Sequence, residues 1–181
     1  MKERDNLQRF LFEKAHIRGD IAHLNHTFTT IMNQRAYPPM IKNLLGEALI
    51  SCLLLTGSIK FEGELSLQFQ GDERLPLLLV QCDHNLGMRG FAKYQENLDT
   101  QNYADAFLTG QMVLTINQYN QTQSYQSLVP LQSTAMSENL MHYFGVPHTE
   151  AHRALADAKA SLKVLQGLLK VFSDFPQKLK K

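Results

Sequence analysis

Cysteine is scarce in this chain. It holds two, Cys52 and Cys82, and neither belongs to a CxxC or CxC pair. A structural zinc site takes four ligands. Cys82-Asp83-His84 has the atoms for one corner of such a site but no second pair of ligands to complete it, so no metal site is assigned. In a cytosolic chain two isolated cysteines read as reduced, buried thiols. An excess of charge is also missing. Lys and Arg number 18 against 17 Asp and Glu, for a formal net charge of +1. No global field then recruits nucleic acid or an anionic membrane surface. Long apolar runs are absent too. The best candidates, Leu49–Leu55 and Leu75–Val80, are core-sized rather than membrane-spanning. The polar, charged stretch Met1–Arg9 leads into no apolar signal core. These absences predict a cytoplasmic protein with neither membrane nor nucleic acid as partner.

What remains suits a globular protein. The 181 residues are 44% hydrophobic and 19% charged, enough for one domain with a real core, or one domain plus an appendage. Residues 7–24 lack helical spacing. Phe10, Phe12, Ile17, Ile21 and Leu24 suggest extended chain, with Arg18-Gly19-Asp20 as a bend. Thr27–Asn33 suits a short helix. Pro38-Pro39 then fits a helix start, where a missing N–H costs nothing. Ile41, Leu44, Leu45, Ala48, Leu49, Cys52 and Leu55 follow i, i+3, i+4, i+7 spacing, and Ile50, Leu53 and Leu54 widen the stripe. This helix is expected to be central and to end at Gly57. The period then changes to two. Strands are expected over Glu64–Gln70, Leu77–Cys82, Met88–Tyr94 (with Gly90 at a close approach), Gln111–Asn117 and Ser124–Leu131. A short helix follows over Met136–Phe144. The predicted fold class is α+β, an antiparallel sheet packed on a central helix.

Gly145-Val146-Pro147 breaks the pattern. Ala151, Ala154, Leu155, Ala158, Leu162, Leu165, Leu168, Leu169 and Phe172 then keep helical spacing for over five turns, before Phe175-Pro176 and a basic end of Lys178, Lys180 and Lys181. The expected organisation is a domain over 1–144 and a C-terminal amphipathic helical appendage over 145–181. That helix must bury its stripe, either on this domain or against a second copy, which would make a homodimer.

Several stretches are collinear with one known family. They are Leu11-Phe12-Glu13, Ile17-Arg18-Gly19-Asp20, Tyr37-Pro38 with the helix to Leu55, and Lys60-Phe61-Glu62-Gly63-Glu64-Leu65 running into Leu67-Gln68-Phe69-Gln70-Gly71-Asp72. Met88-Arg89-Gly90-Phe91-Ala92, Gly110-Gln111-Met112-Val113-Leu114-Thr115-Ile116, Tyr125-Gln126 to Leu131 and Tyr143-Phe144 complete the series. Over residues 7–144 the chain resembles the N-terminal domain of the heat-shock protein 33 family, the redox-regulated 33-kDa chaperonins. The resemblance implies an ATP-independent holdase that binds unfolded or partly folded client proteins. The absence of a GxxxxGK[ST] phosphate loop agrees with that. Exposed methionines would suit promiscuous binding, and Met88, Met112, Met136 and Met141 are candidates, with ordinary core packing as the alternative. The family's C-terminal CxC and CxxC zinc switch has no counterpart here. The chain is therefore expected to be a truncated member without redox regulation, and one whose unfinished sheet leaves an unpaired edge.

A second, shorter resemblance lies in His152-Arg153-Ala154-Leu155-Ala156-Asp157-Ala158, which is similar to the last motif of DEDDh-type 3′–5′ exonucleases. It implies His152 as general base and Asp157 as metal ligand. Cleavage with two metals needs several carboxylates, and the chain holds no DxE pair. The alternative places both residues on the polar flank of a helix. The expected function is therefore a chaperone and not an enzyme, with no catalytic, cofactor-binding or metal residues assigned and no cofactor. A nuclease fragment or a non-functional remnant is the alternative.

Overall fold

The computed structural model describes residues 5–15 and 17–145. The period-two segments form the main sheet: β3 (Gly63–Gln70), β4 (Leu77–Asp83), β5 (Met88–Lys93), β6 (Gln111–Gln118) and β7 (Tyr125–Val129). All neighbours are antiparallel, in the order β5-β4-β3-β6-β7. The register puts apolar side chains in rows across one face. Leu65 lies between Cys82 and Ile116, Leu67 between Val80 and Leu114, and Phe69 between Leu78 and Met112. Every one of these side chains is buried, because residues opposite one another share a face. Gly63 is obligatory at the start of β3, where a Cβ would overlap the carbonyl oxygen of Asn117.

That face packs against α2 (Pro39–Ser58). Pro39 occupies the first turn, and Pro38 leads in with extended backbone. Ile41, Leu44, Leu45, Ala48, Leu49, Cys52, Leu53 and Leu55 are all buried, so the wide stripe is that of a helix covered on more than one side. By length and composition α2 is apolar enough to cross a membrane, and half of its apolar window is buried inside the fold. Lys42 and Glu47 interrupt its apolar run, and it is the central helix of the core. Glu47 has a structural partner, since its carboxylate accepts from the Met136 N–H at the start of α4 (Met136–Tyr143), where unpaired N–H groups and the helix dipole favour a negative charge. Asn139 of α4 is buried yet satisfied. It accepts from the Gln132 and Ser133 N–H groups and donates to the Ser133 carbonyl. Gly145, at φ +68, closes the helix.

Two sequence expectations are corrected. Residues 5–24 form a hairpin, β1 (Asn6–Phe12) and β2 (Ile17–His23), separate from the main sheet. Its reversal runs through the short 3-10 turn Glu13–Ala15, and Arg18-Gly19-Asp20 lies within β2. Gly19 is there to admit an aromatic ring: Phe10 sits over it and would overlap a Cβ. The region between β5 and β6 carries α3 (Thr100–Leu108), which was not anticipated. Asp99 caps it by accepting from the Asn102 N–H, and Tyr103, Ala106 and Phe107 are buried on its inner side. Phe107 stacks on Phe69 at 5.1 Å. The predicted short helix after residue 26 is present as α1 (His26–Met32). Its first N–H groups, with that of Asn25, donate to the Asp5 carboxylate. The C-terminal amphipathic helix, and with it nearly all of the proposed 145–181 appendage, lies outside the described residues.

Candidate polypeptide-binding surfaces

The two cysteines occupy the core. Cys52 is fully buried and its thiol points to the Leu65 carbonyl. Burial, with the Glu64 carboxylate and the neighbouring Cys82 sulfur adding to it, pushes that thiol well above its ordinary value. Burial likewise pushes Cys82 up to about 11. Neither is a reactive thiolate near neutral pH. Asp83 is a turn-builder. Its carboxylate accepts from the Asn85 and Gly87 N–H groups, while the exposed His84 ring meets Tyr119 edge-on. Among the described residues, no three His, Cys, Asp or Glu side chains converge on a point. His152 and Asp157 lie outside the described residues.

The methionines divide. Met112 and Met136 are fully buried and belong to the core, which corrects their candidacy for client contact. Met88 and Met141 are half-buried and pack against the core from its margin.

Half of the exposed large apolar side chains among the described residues lie on the hairpin. The inner face of β1 and β2 carries Leu7 and Ala22, which pack on the core. It also carries Arg9, whose guanidinium pairs with Asp20 at 2.8 Å and donates to the Gly57 carbonyl at the end of α2. The outer face carries Phe10, Phe12 and Ile21, since residues two apart point the same way. Phe12 is 59% and Ile21 58% exposed, and the Phe10 and Phe12 rings meet edge to face at 5.5 Å. Leu11, near the tip, is 61% exposed. Exposed apolar residues are unremarkable singly; these sit together on one small element. Sequence reasoning placed the phenylalanines on extended chain but had no means of telling the outer face from the inner.

A second surface is a cleft of about 620 Å³ between α1 and β5, lined by residues that include Thr27, Thr30 and Ile31 on the helix side and Leu79, Met88 and Phe91 on the sheet side. It mixes apolar walls with hydroxyl and amide groups.

A family model described as Hsp33 protein matches residues 5–146. The chain belongs to the Hsp33 family. Among its relatives, the 33 kDa chaperonin of Aeromonas salmonicida is 34% identical over 145 residues, covering 80% of this chain and 49% of that protein. The 33 kDa chaperonin of Photobacterium profundum is 36% identical over 141 residues, covering 77% and 48%. The crystal structure of the 33 kDa chaperonin from Thermotoga maritima shares the fold with a TM-score of 0.66 at 20% identity, over 77% of this chain and 50% of that one. The α+β expectation therefore stands, and the relatives carry the name of chaperonins rather than of enzymes. This Hsp33 family member spans about half the length of the relatives it matches.

Proposed function

We propose that this chain binds unfolding polypeptides and keeps them from aggregating, as a holdase that turns over no nucleotide and uses no metal or other cofactor. The observation that carries the reading is the outer face of the hairpin, where Phe10, Phe12 and Ile21 stand exposed on a member of the Hsp33 family. Unfolding proteins expose apolar surface, and water drives that surface onto any other apolar surface on offer. A hairpin held to the body by Leu7 and by the Arg9 guanidinium on the Gly57 carbonyl presents such a surface without itself unfolding.

Holding by these residues is indifferent to thiol chemistry, because Cys52 and Cys82 are buried and protonated at neutral pH. The near-neutral charge supports a cytoplasmic protein that takes clients by apolar contact rather than by charge. The test is light scattering from a heat-unfolding client, with and without this protein, under reducing and oxidising conditions. Equal suppression in both is expected. No suppression in either condition refutes the reading.

A further inference from the structure

The strand register also determines the outer face of the main sheet, the one turned away from α2. Side chains alternate along a strand, so with Leu67 and Phe69 inward, Gln68 points outward. Its partners across the two ladders are Leu79 and Val113, and theirs are Phe91 and Leu128. Leu128, Val113, Gln68, Leu79 and Phe91 thus make one row across all five strands, apolar at every position but the middle one. None of them belongs to the buried core. Leu128 is 62% exposed and the other four are half-buried. The adjacent row runs from Gln126 through Thr115 and Gln81 to Arg89 and is polar. At its β5 end the apolar row meets the cleft that Leu79 and Phe91 share with α1.

One segment of this chain carries a matching stripe and starts from the right place. Apolar positions keep helical spacing over residues 151–172. A helix of that span is about 33 Å long, and five strands side by side are about 20 Å wide, so it can reach across the whole sheet. Its starting point is fixed by α4, which packs against β7, where the Tyr143 hydroxyl meets Ser127 and Tyr125. β7 is the edge strand that carries Leu128. Beyond Gly145, the stretch 146–150 extends up to about 17 Å, enough to turn round that edge from the inner face to the outer. We infer that residues 151–172 lie as an amphipathic helix on the outer face of the main sheet, with their apolar stripe along the row from Leu128 to Phe91. A short tether holds the segment at an effective concentration in the millimolar range, which favours this seat over the same face of a second copy. The placement is independent of the holdase reading, and it leaves the outer face of the hairpin uncovered.

The experiment is maleimide labelling of two single-site variants of the full chain. Cys52 and Cys82 are buried, so uptake of one label per folded chain reads the introduced thiol alone. Leu128→Cys places that thiol at the β7 end of the row, and Phe12→Cys places it on the hairpin, at a position 59% exposed. Leu128→Cys is expected to label about tenfold or more slowly than Phe12→Cys, because labelling then waits on local opening. Leu162→Asp together with Leu169→Asp puts charge into the stripe without touching the described domain. That pair is expected to speed Leu128→Cys about tenfold and to leave Phe12→Cys unchanged. Equal, fast labelling of both thiols overturns the proposal. So does protection of Leu128→Cys that the Asp pair leaves intact. Protection that deepens with protein concentration overturns it and assigns the face to a second copy. An Asp pair that speeds Phe12→Cys instead overturns it and assigns residues 151–172 to the hairpin.

Discussion

Replacing Phe12 and Ile21 with threonine separates a binding surface from a structural one. Fully burying a Phe or Ile side chain is worth about 1.5–3 kcal/mol. With Phe12 59% and Ile21 58% exposed, a client that covers either one gains about 1–2 kcal/mol from the part now in water. Each single substitution should therefore weaken holding about 5- to 30-fold, and the pair should weaken it further. Threonine keeps a strand-favouring, β-branched shape. Because neither residue belongs to the buried core, the protein's own stability should change by no more than about 0.5 kcal/mol. The assay reads the protein concentration that halves the scattering of an aggregating client, beside a thermal melt of the protein alone. An unmoved half-suppression point in the double variant, with an intact melt, refutes the role given to the hairpin. A melt lowered by several degrees refutes the claim that its outer face is free.

Three further outcomes follow from the packing. Phe107→Ala removes a fully buried ring stacked on Phe69 and should cost about 3–5 kcal/mol, read by chemical denaturation. At Asp5, partial burial opposes ionisation, but hydrogen bonds from Thr27, Asn25 and His26 outweigh it and hold the carboxyl below its ordinary value. Its stabilisation is thus present above the unfolded carboxylate pKa and lost as pH falls through the lower folded one. Asp5→Ala should cost about 1 kcal/mol, as lost helix caps do, and should flatten that acid limb in a pH series of melts. Both thiols should resist a maleimide at neutral pH in the native protein and react fully once it is unfolded. Prompt native labelling of Cys52 would contradict its burial in the core.

The central helix and the sheet were readable because their signals are local and periodic. Ile41 to Leu55 repeats at helical spacing, and Leu65, Leu67 and Phe69 alternate. The α3 helix escaped notice because its apolar stripe, Tyr103, Ala106 and Phe107, is short and follows a polar run from Asp99 to Asn102. Its stability comes from stacking on Phe69, a contact distant in sequence. At Arg18-Gly19-Asp20, a glycine between opposite charges reads as a bend. In the fold that glycine makes room for Phe10, and the aspartate serves Arg9 on the facing strand. The exposed face of the hairpin was the least legible part. Exposure of Phe12 depends on which face of the hairpin meets α2. That is not a property of a residue or its near neighbours.

The most direct test of the account compares one fluorescently labelled polypeptide in its native and its permanently unfolded forms, titrated with this protein and read by anisotropy. Binding of the unfolded form, undiminished by a change from reducing to oxidising buffer, together with no binding of the native form, is the predicted result. Equal binding of the two forms, or binding of neither, would contradict it.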